Sequence, residues 1–186
     1  MSPYTSPVRS ALLWSLIMQR EERIEHMSTN ENRQKVFKII NDNPVCMLTV
    51  SGSKDALFSR PMTVVKTEDN GELWFFTSST SAAVEEIGTE SKVNLSFSAK
   101  SEWLSVHGSA VVITSEPKAR EMWNQAVAAF FPEGPESPAV SLIRVRPEGA
   151  QYWDSPGGPV TMAVEWAKSR LSGTQINAGE SNTVDL

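Results

Sequence analysis

A chain of 186 residues is long enough for one domain with a sizeable core and short for two domains plus a linker. Apolar residues at 40% and charged residues at 21% sit near soluble globular averages, which favours neither general disorder nor a membrane-embedded chain. The formal charge of -5 provides no basic footprint, so neither nucleic acid nor a membrane is an expected partner.

Residues 1–26 stand apart from the rest of the chain, with Pro3, Pro7 and an apolar stretch from Ala11 to Met18. That stretch is too short to span a bilayer. The bulky, charged run Gln19 to Arg23 behind it is unlike a signal-peptide cleavage site, so export is not expected. These residues are read as a flexible N-terminal extension. Ser28-Thr29-Asn30-Glu31 then has the form of a capping box, and Val36, Phe37, Ile39 and Ile40 make an apolar stripe that Asn41-Asp42-Asn43-Pro44 stops. The spacing predicts a short helix.

From Val45 the period changes to that of strands: Val45–Ser51, Ala56–Val65, Glu72–Thr77, Lys92–Ala99 and Trp103–Thr114, with turns at Gly52-Ser53, Asp69-Asn70-Gly71 and Ala99-Lys100-Ser101. Their close succession favours an antiparallel meander or barrel. Cys46, the single cysteine, lies in the first of these runs; it reads as a small buried hydrophobe in a reducing, cytoplasmic compartment. With His26 and His107 the only histidines, no zinc spacing exists and no metal site is expected.

Two helices interrupt the strands, at about Ser81–Ile87 and Glu116–Phe130; Phe131-Pro132-Glu133-Gly134-Pro135 ends the second. Strands at Val140–Arg146 and Ala150–Asp154 follow, then a boundary at Ser155-Pro156-Gly157-Gly158-Pro159. A C-terminal helix over Val160–Leu171 leads to a polar tail. The expected layout is an extension over 1–26, a barrel domain over 27–158, and a C-terminal helix and tail over 159–186.

The order of Ser59-Arg60-Pro61-Met62, Leu73-Trp74-Phe75-Phe76-Thr77-Ser78, a helix starting near Ser81, Val93-Asn94-Leu95-Ser96-Phe97 and Arg144 to Trp153 resembles the FMN-binding split barrels of the pyridoxamine 5'-phosphate oxidase superfamily. Trp123, the turn Phe131 to Pro135 and the run Ile143 to Asp154 look like its general stress protein branch. The resemblance spans about Met27 to Leu186. It implies a mainly β fold with flanking helices, an antiparallel split β-barrel. It also implies a homodimer that shares its cofactor clefts, FMN as cofactor, and flavin-dependent oxidoreductase chemistry on a small-molecule reductant or substrate. A non-enzymatic flavin-buffering protein, or a member with an empty cleft, is the alternative.

A flavin phosphate carries close to two negative charges and needs converging donors. The hydroxyls of Thr77, Ser78 and Ser81 and the unpaired first amides of the helix offer them, although Ser81 also suits a simple N-cap. Pro61 cannot donate to a sheet ladder, so its strand is expected at an edge or at a ligand-facing break; Arg60 is then a cleft residue or an ordinary surface arginine. By resemblance, Ser59 to Met62 lie along the flavin ring and ribityl chain, Phe76 joins them, and Trp153 is either a flavin contact or a core or interface anchor. Catalytic residues are not assigned. His107 falls on the polar face of its strand, with Trp103, Ser105 and Ser109, opposite Leu104, Val106, Gly108 and Ala110.

Members of the family commonly carry a lysine two residues after the helix-start serine, where this chain has Ala83. Losing one charge-assisted hydrogen bond of roughly 1.5–3 kcal/mol weakens binding about ten- to a hundredfold, so FMN is expected to be held less tightly. Pyridoxamine 5'-phosphate oxidation itself is not expected, because Asp154 to Pro159 offers no basic residue for a second phosphate. No Gly-x-Gly-x-x-Gly follows a strand, so a nicotinamide donor would only visit.

Overall fold

The structure is a computed structural model and describes residues 30–52, 56–99, 102–154 and 180–186. Helix α1 covers residues 30–42 and buries Val36, Ile39 and Ile40 against the sheet. It stops where expected: the Asn43 amide closes the last turn on the Ile39 carbonyl at 3.0 Å, and Pro44 cannot continue. Ser28 and Thr29 of the expected capping box lie outside the described residues, as do the boundary at 155–159 and the helix expected over 160–171.

Strands β1 (Val45–Ser51), β2 (Leu57–Thr63), β3 (Lys66–Thr67) and β4 (Leu73–Ser78) lead to helix α2 (Ala82–Thr89). Next come β5 (Lys92–Ala99), β6 (Glu102–Ile113), helices α3 (Glu116–Met122) and α4 (Gln125–Phe130), β7 (Val140–Asp154) and β8 (Glu180–Asp185). All pair antiparallel in one sheet ordered β2-β1-β5-β6-β7-β4-β3, with β8 also on β7. Although β2 and β4 are far apart in that order, they touch. The sheet is therefore curled into a half-barrel, and its split lies between these two strands.

Alternation decides what fills the curl. Leu48 and Val50 of β1, Leu95 and Phe97 of β5, Leu104 and Val106 of β6 and Val145 of β7 point inward and meet α1 in the main core. The intervening residues form an outer face: Val45, Met47 and Thr49, their partners Thr63, Pro61 and Ser59, and beyond them Asn94, Ser96, Ser98, Trp103, Ser105 and His107. None of these carries a carboxylate, ammonium or guanidinium group. A smaller cluster of Trp74, Ala119, Met122, Val140 and Leu142 seats α3 on the back of β4 and β7.

Three expected elements are corrected. The single helix over Glu116–Phe130 is two, because Asn124 adopts an extended conformation and its side chain accepts from the Val127 amide at 3.0 Å, capping α4. The two strands expected around Pro147 are one continuous β7, the irregularity being taken up by a bulge at Glu148, which has no partner opposite the His107 to Gly108 step of β6. Residues 180–185, read as polar tail, form β8; among the side chains described there, from Asn182 on, only Val184 is buried, on its partner Ala150, so the segment has too little alternation to announce a strand. No helix among the described residues is long and apolar enough to cross a membrane.

Candidate functional site

The split of the half-barrel holds a groove of about 510 Å³. Pro61 and Met62 line one side and Phe76 the other, with Val64 and Val65 behind and Val127 and Phe131 across. β2 is an edge strand, as Pro61 requires. Phe76 does not enter the main core: it is half-buried and meets Trp123 edge-on at 5.5 Å and Phe131 at 6.1 Å. Every side chain lining this groove is non-ionisable, and Phe130 stands at its rim 82% exposed.

The hydroxyls gather at the junction of β4 and α2. Thr77 is buried and its Oγ1 lies 2.8 Å from Ser81 Oγ. Ser78 Oγ lies 3.1 Å from Thr80 Oγ1 and accepts from the Thr80 amide at 3.3 Å. Ser81 occupies the N-cap position of α2, yet its side chain makes no capping hydrogen bond. The first-turn amides are thus left without the acceptor that a capping serine supplies.

Arg60 is turned to the inner side of β2, where its Nη2 is ion-paired with Glu86 of α2. Glu86 was not legible in the sequence, because no periodicity links residues 26 apart. Ser59, its neighbour, faces the other way and shares a hydrogen bond with Thr49 at 2.7 Å.

Trp153 does not join this set within one chain. It is 39% exposed on the outer face beside its partner Trp103, which is 46% exposed. Ser141, the partner of Thr77, sits twelve residues earlier on β7, roughly 40 Å of strand at about 3.3 Å per residue. His107 is also on that face and crowds Gly149, where an added Cβ would come within 2.6 Å of its ring.

Ala83 departs from the sequence expectation in a second way. It is 1% exposed and packs into the main core, so this position does not open toward the helix amides. Cys46 is buried and its thiol is pushed up to about 12 by desolvation, as suits a packing residue. Asn124, Val127 and Phe131 join the groove although sequence reading gave them no role there; an asparagine inside a helical pattern was the available signal for the α4 cap.

The chain matches the family described as Pyridoxamine 5'-phosphate oxidase like over residues 31–177. It is 30% identical over 146 residues to Protein bli-3 of Neurospora crassa, covering 72% of this chain and 70% of that protein. Among solved structures it is similar to the general stress FMN/FAD binding protein of Xanthomonas citri, with 30% identity, a TM-score of 0.62, and 70% of this chain and 93% of that chain covered. A structure assigned to general stress protein 26 of Jannaschia sp. CCS1 shares the fold at 21% identity, with a TM-score of 0.67 over 84% of this chain and 99% of that one.

Proposed function

Since the chain belongs to the pyridoxamine 5'-phosphate oxidase like family, we propose that it is a stress-related flavin-binding protein that holds FMN in clefts shared by two copies and acts as an oxidoreductase on a small molecule. The observation that carries this reading is the β4–α2 junction, where the hydroxyls of Thr77, Ser78 and Ser81 converge beside helix amides that Ser81 does not cap. A phosphate is the group such a donor set suits. Ser59, Arg60, Pro61 and Met62 would flank the flavin, with Phe76 at the groove behind them. The flavin, when bound, would supply hydride or electron transfer; the chain's own residues bind it, orient it and keep water from it.

The outer face supports the paired arrangement. The part of this face formed by β2, β1 and the middle of β5 and β6, with Val45 at 59%, Met47 at 41% and Trp103 at 46% exposure, suits burial against a second copy. Trp153 would then join a cleft only from the other chain. A buried Cys46 thiol accords with a cytoplasmic setting. The groove's non-ionisable lining gives weight to the second reading, a protein that stores flavin without turnover, since proton transfer needs a titratable group.

The test is to record the visible spectrum of the purified protein, denature it and identify any released cofactor by mass. Flavin bands and a mass of FMN are expected. A colourless protein that takes up no FMN when it is supplied would overturn the reading. Bleaching of bound flavin by a small reductant, followed by return of colour with an acceptor, separates enzyme from store.

A further inference from the structure

We infer that Glu86 competes with the flavin phosphate for Arg60, and so sets how strongly this cleft prefers a phosphorylated flavin over an unphosphorylated one. The inference rests on the FMN reading above and concerns the charge of the same site. Arg60 and Glu86 form the most enclosed ion pair among the described residues, with side chains 23% and 15% exposed. Their charges cancel. Helix α2 adds Glu85 and has no basic residue from Ala82 to Thr89. A phosphate approaching the hydroxyls at the start of α2 therefore meets donors without net positive charge and two carboxylates farther along the same helix. Helix amides and hydroxyls favour the anion, but the guanidinium nearest along the helix, Arg60, which meets α2 five residues after Ser81, is already held by Glu86.

The pair also accounts for a guanidinium in so enclosed a place. A partly buried guanidinium without a counter-ion is costly, and Glu86 removes that cost. For Arg60 to turn to a phosphate it must leave Glu86 exposed to the incoming charge, so much of the gain from one contact is offset by the loss of the other. Riboflavin, which has no phosphate, is indifferent to this exchange. The consequence is a cleft that separates FMN from riboflavin poorly.

Glu86→Gln keeps the shape and can still accept from Arg60, yet it removes the competing charge. Titration by quenching of flavin fluorescence gives dissociation constants for FMN and riboflavin on both proteins. The ratio of the two constants is the readout, because a merely structural defect weakens both ligands alike. The expected result is a ratio shifted toward FMN by about tenfold or more, larger at low salt. The shift should disappear when Arg60→Ala is added. An unchanged ratio, or one shifted toward riboflavin, with FMN still bound by the wild type would overturn the competition and make Glu86 a residue that holds Arg60 in place. Absence of any flavin binding by the wild type would overturn the FMN reading along with it.

Discussion

Cys46 and Ala83 show how one buried side chain constrains chemistry. With its thiol pushed up to about 12 by burial, Cys46 holds almost no thiolate near neutrality. A thiol reagent at pH 8 should leave the native protein unlabelled and label it once in denaturant, with mass as the readout; fast labelling of folded protein would contradict the packing. Ala83 was expected from the family pattern to be a position from which a lysine could curl back to the phosphate. Its place in the main core reverses the outcome: Ala83→Lys should lower unfolding stability by on the order of 2–4 kcal/mol, measured with urea, because it puts an ammonium where no counter-ion is packed. Recovery of that loss on adding FMN, and not on adding riboflavin, would show that the longer side chain escapes to the anion after all.

The strands were legible because alternation is strong where one face is buried: β1 and β5 have their expected bounds, and Leu104, Val106, Gly108 and Ala110 face inward as their spacing requires. What the pattern could not carry were features set by distant partners. The bulge on β7, where Glu148 has no partner on β6, is one. An added Cβ at Gly108 would lie 2.2 Å from the Arg146 carbonyl oxygen, so Gly108→Ala should cost about 1–3 kcal/mol and disturb the register of both strands. The α3–α4 break is another, and Asn124→Ala should cost about 1 kcal/mol through the lost cap. Between β3 and α3, Lys118 bonds Glu68 at 2.9 Å and Glu121 at 3.0 Å. The hydrogen bond from Lys118 holds the Glu68 carboxyl below its usual 4.5. A lowered carboxyl pKa gives stability that is present above the unfolded value and fades as pH falls through the folded one. Lys118→Met should therefore flatten the acid side of a plot of urea midpoint against pH.

For the molecule as a whole, an antiparallel meander or barrel was readable from the spacing of the strands and the split barrel from the family resemblance, whereas the site was readable only in pieces. Thr77, Ser78 and Ser81 are consecutive enough for the sequence to place them together. Arg60 with Glu86, or Phe76 with Val127, meet only because the sheet curls. The exposed apolar residues of the outer face give the paired assembly its test. Met47→Glu places a carboxylate near the middle of that face without touching the core, so sedimentation should move from two chains to one while the circular dichroism stays the same. An unchanged dimer would assign the contact to another surface.

Strand β7 has a neighbour along nearly all of both edges: β6 follows one side, while β4 takes residues 140–145 and β8 residues 149–154 of the other. Its amides thus alternate between two ladders, and neither edge is open to solvent where both neighbours are present. In deuterated buffer, Leu142, Val145 and Tyr152 should be among the last to exchange, at rates that follow global unfolding. The interval at Arg146 to Glu148, where β4 has ended and β8 has not begun, should exchange sooner. Such a profile would mark a short seam within one strand, flanked on both sides by segments that open only with the whole molecule.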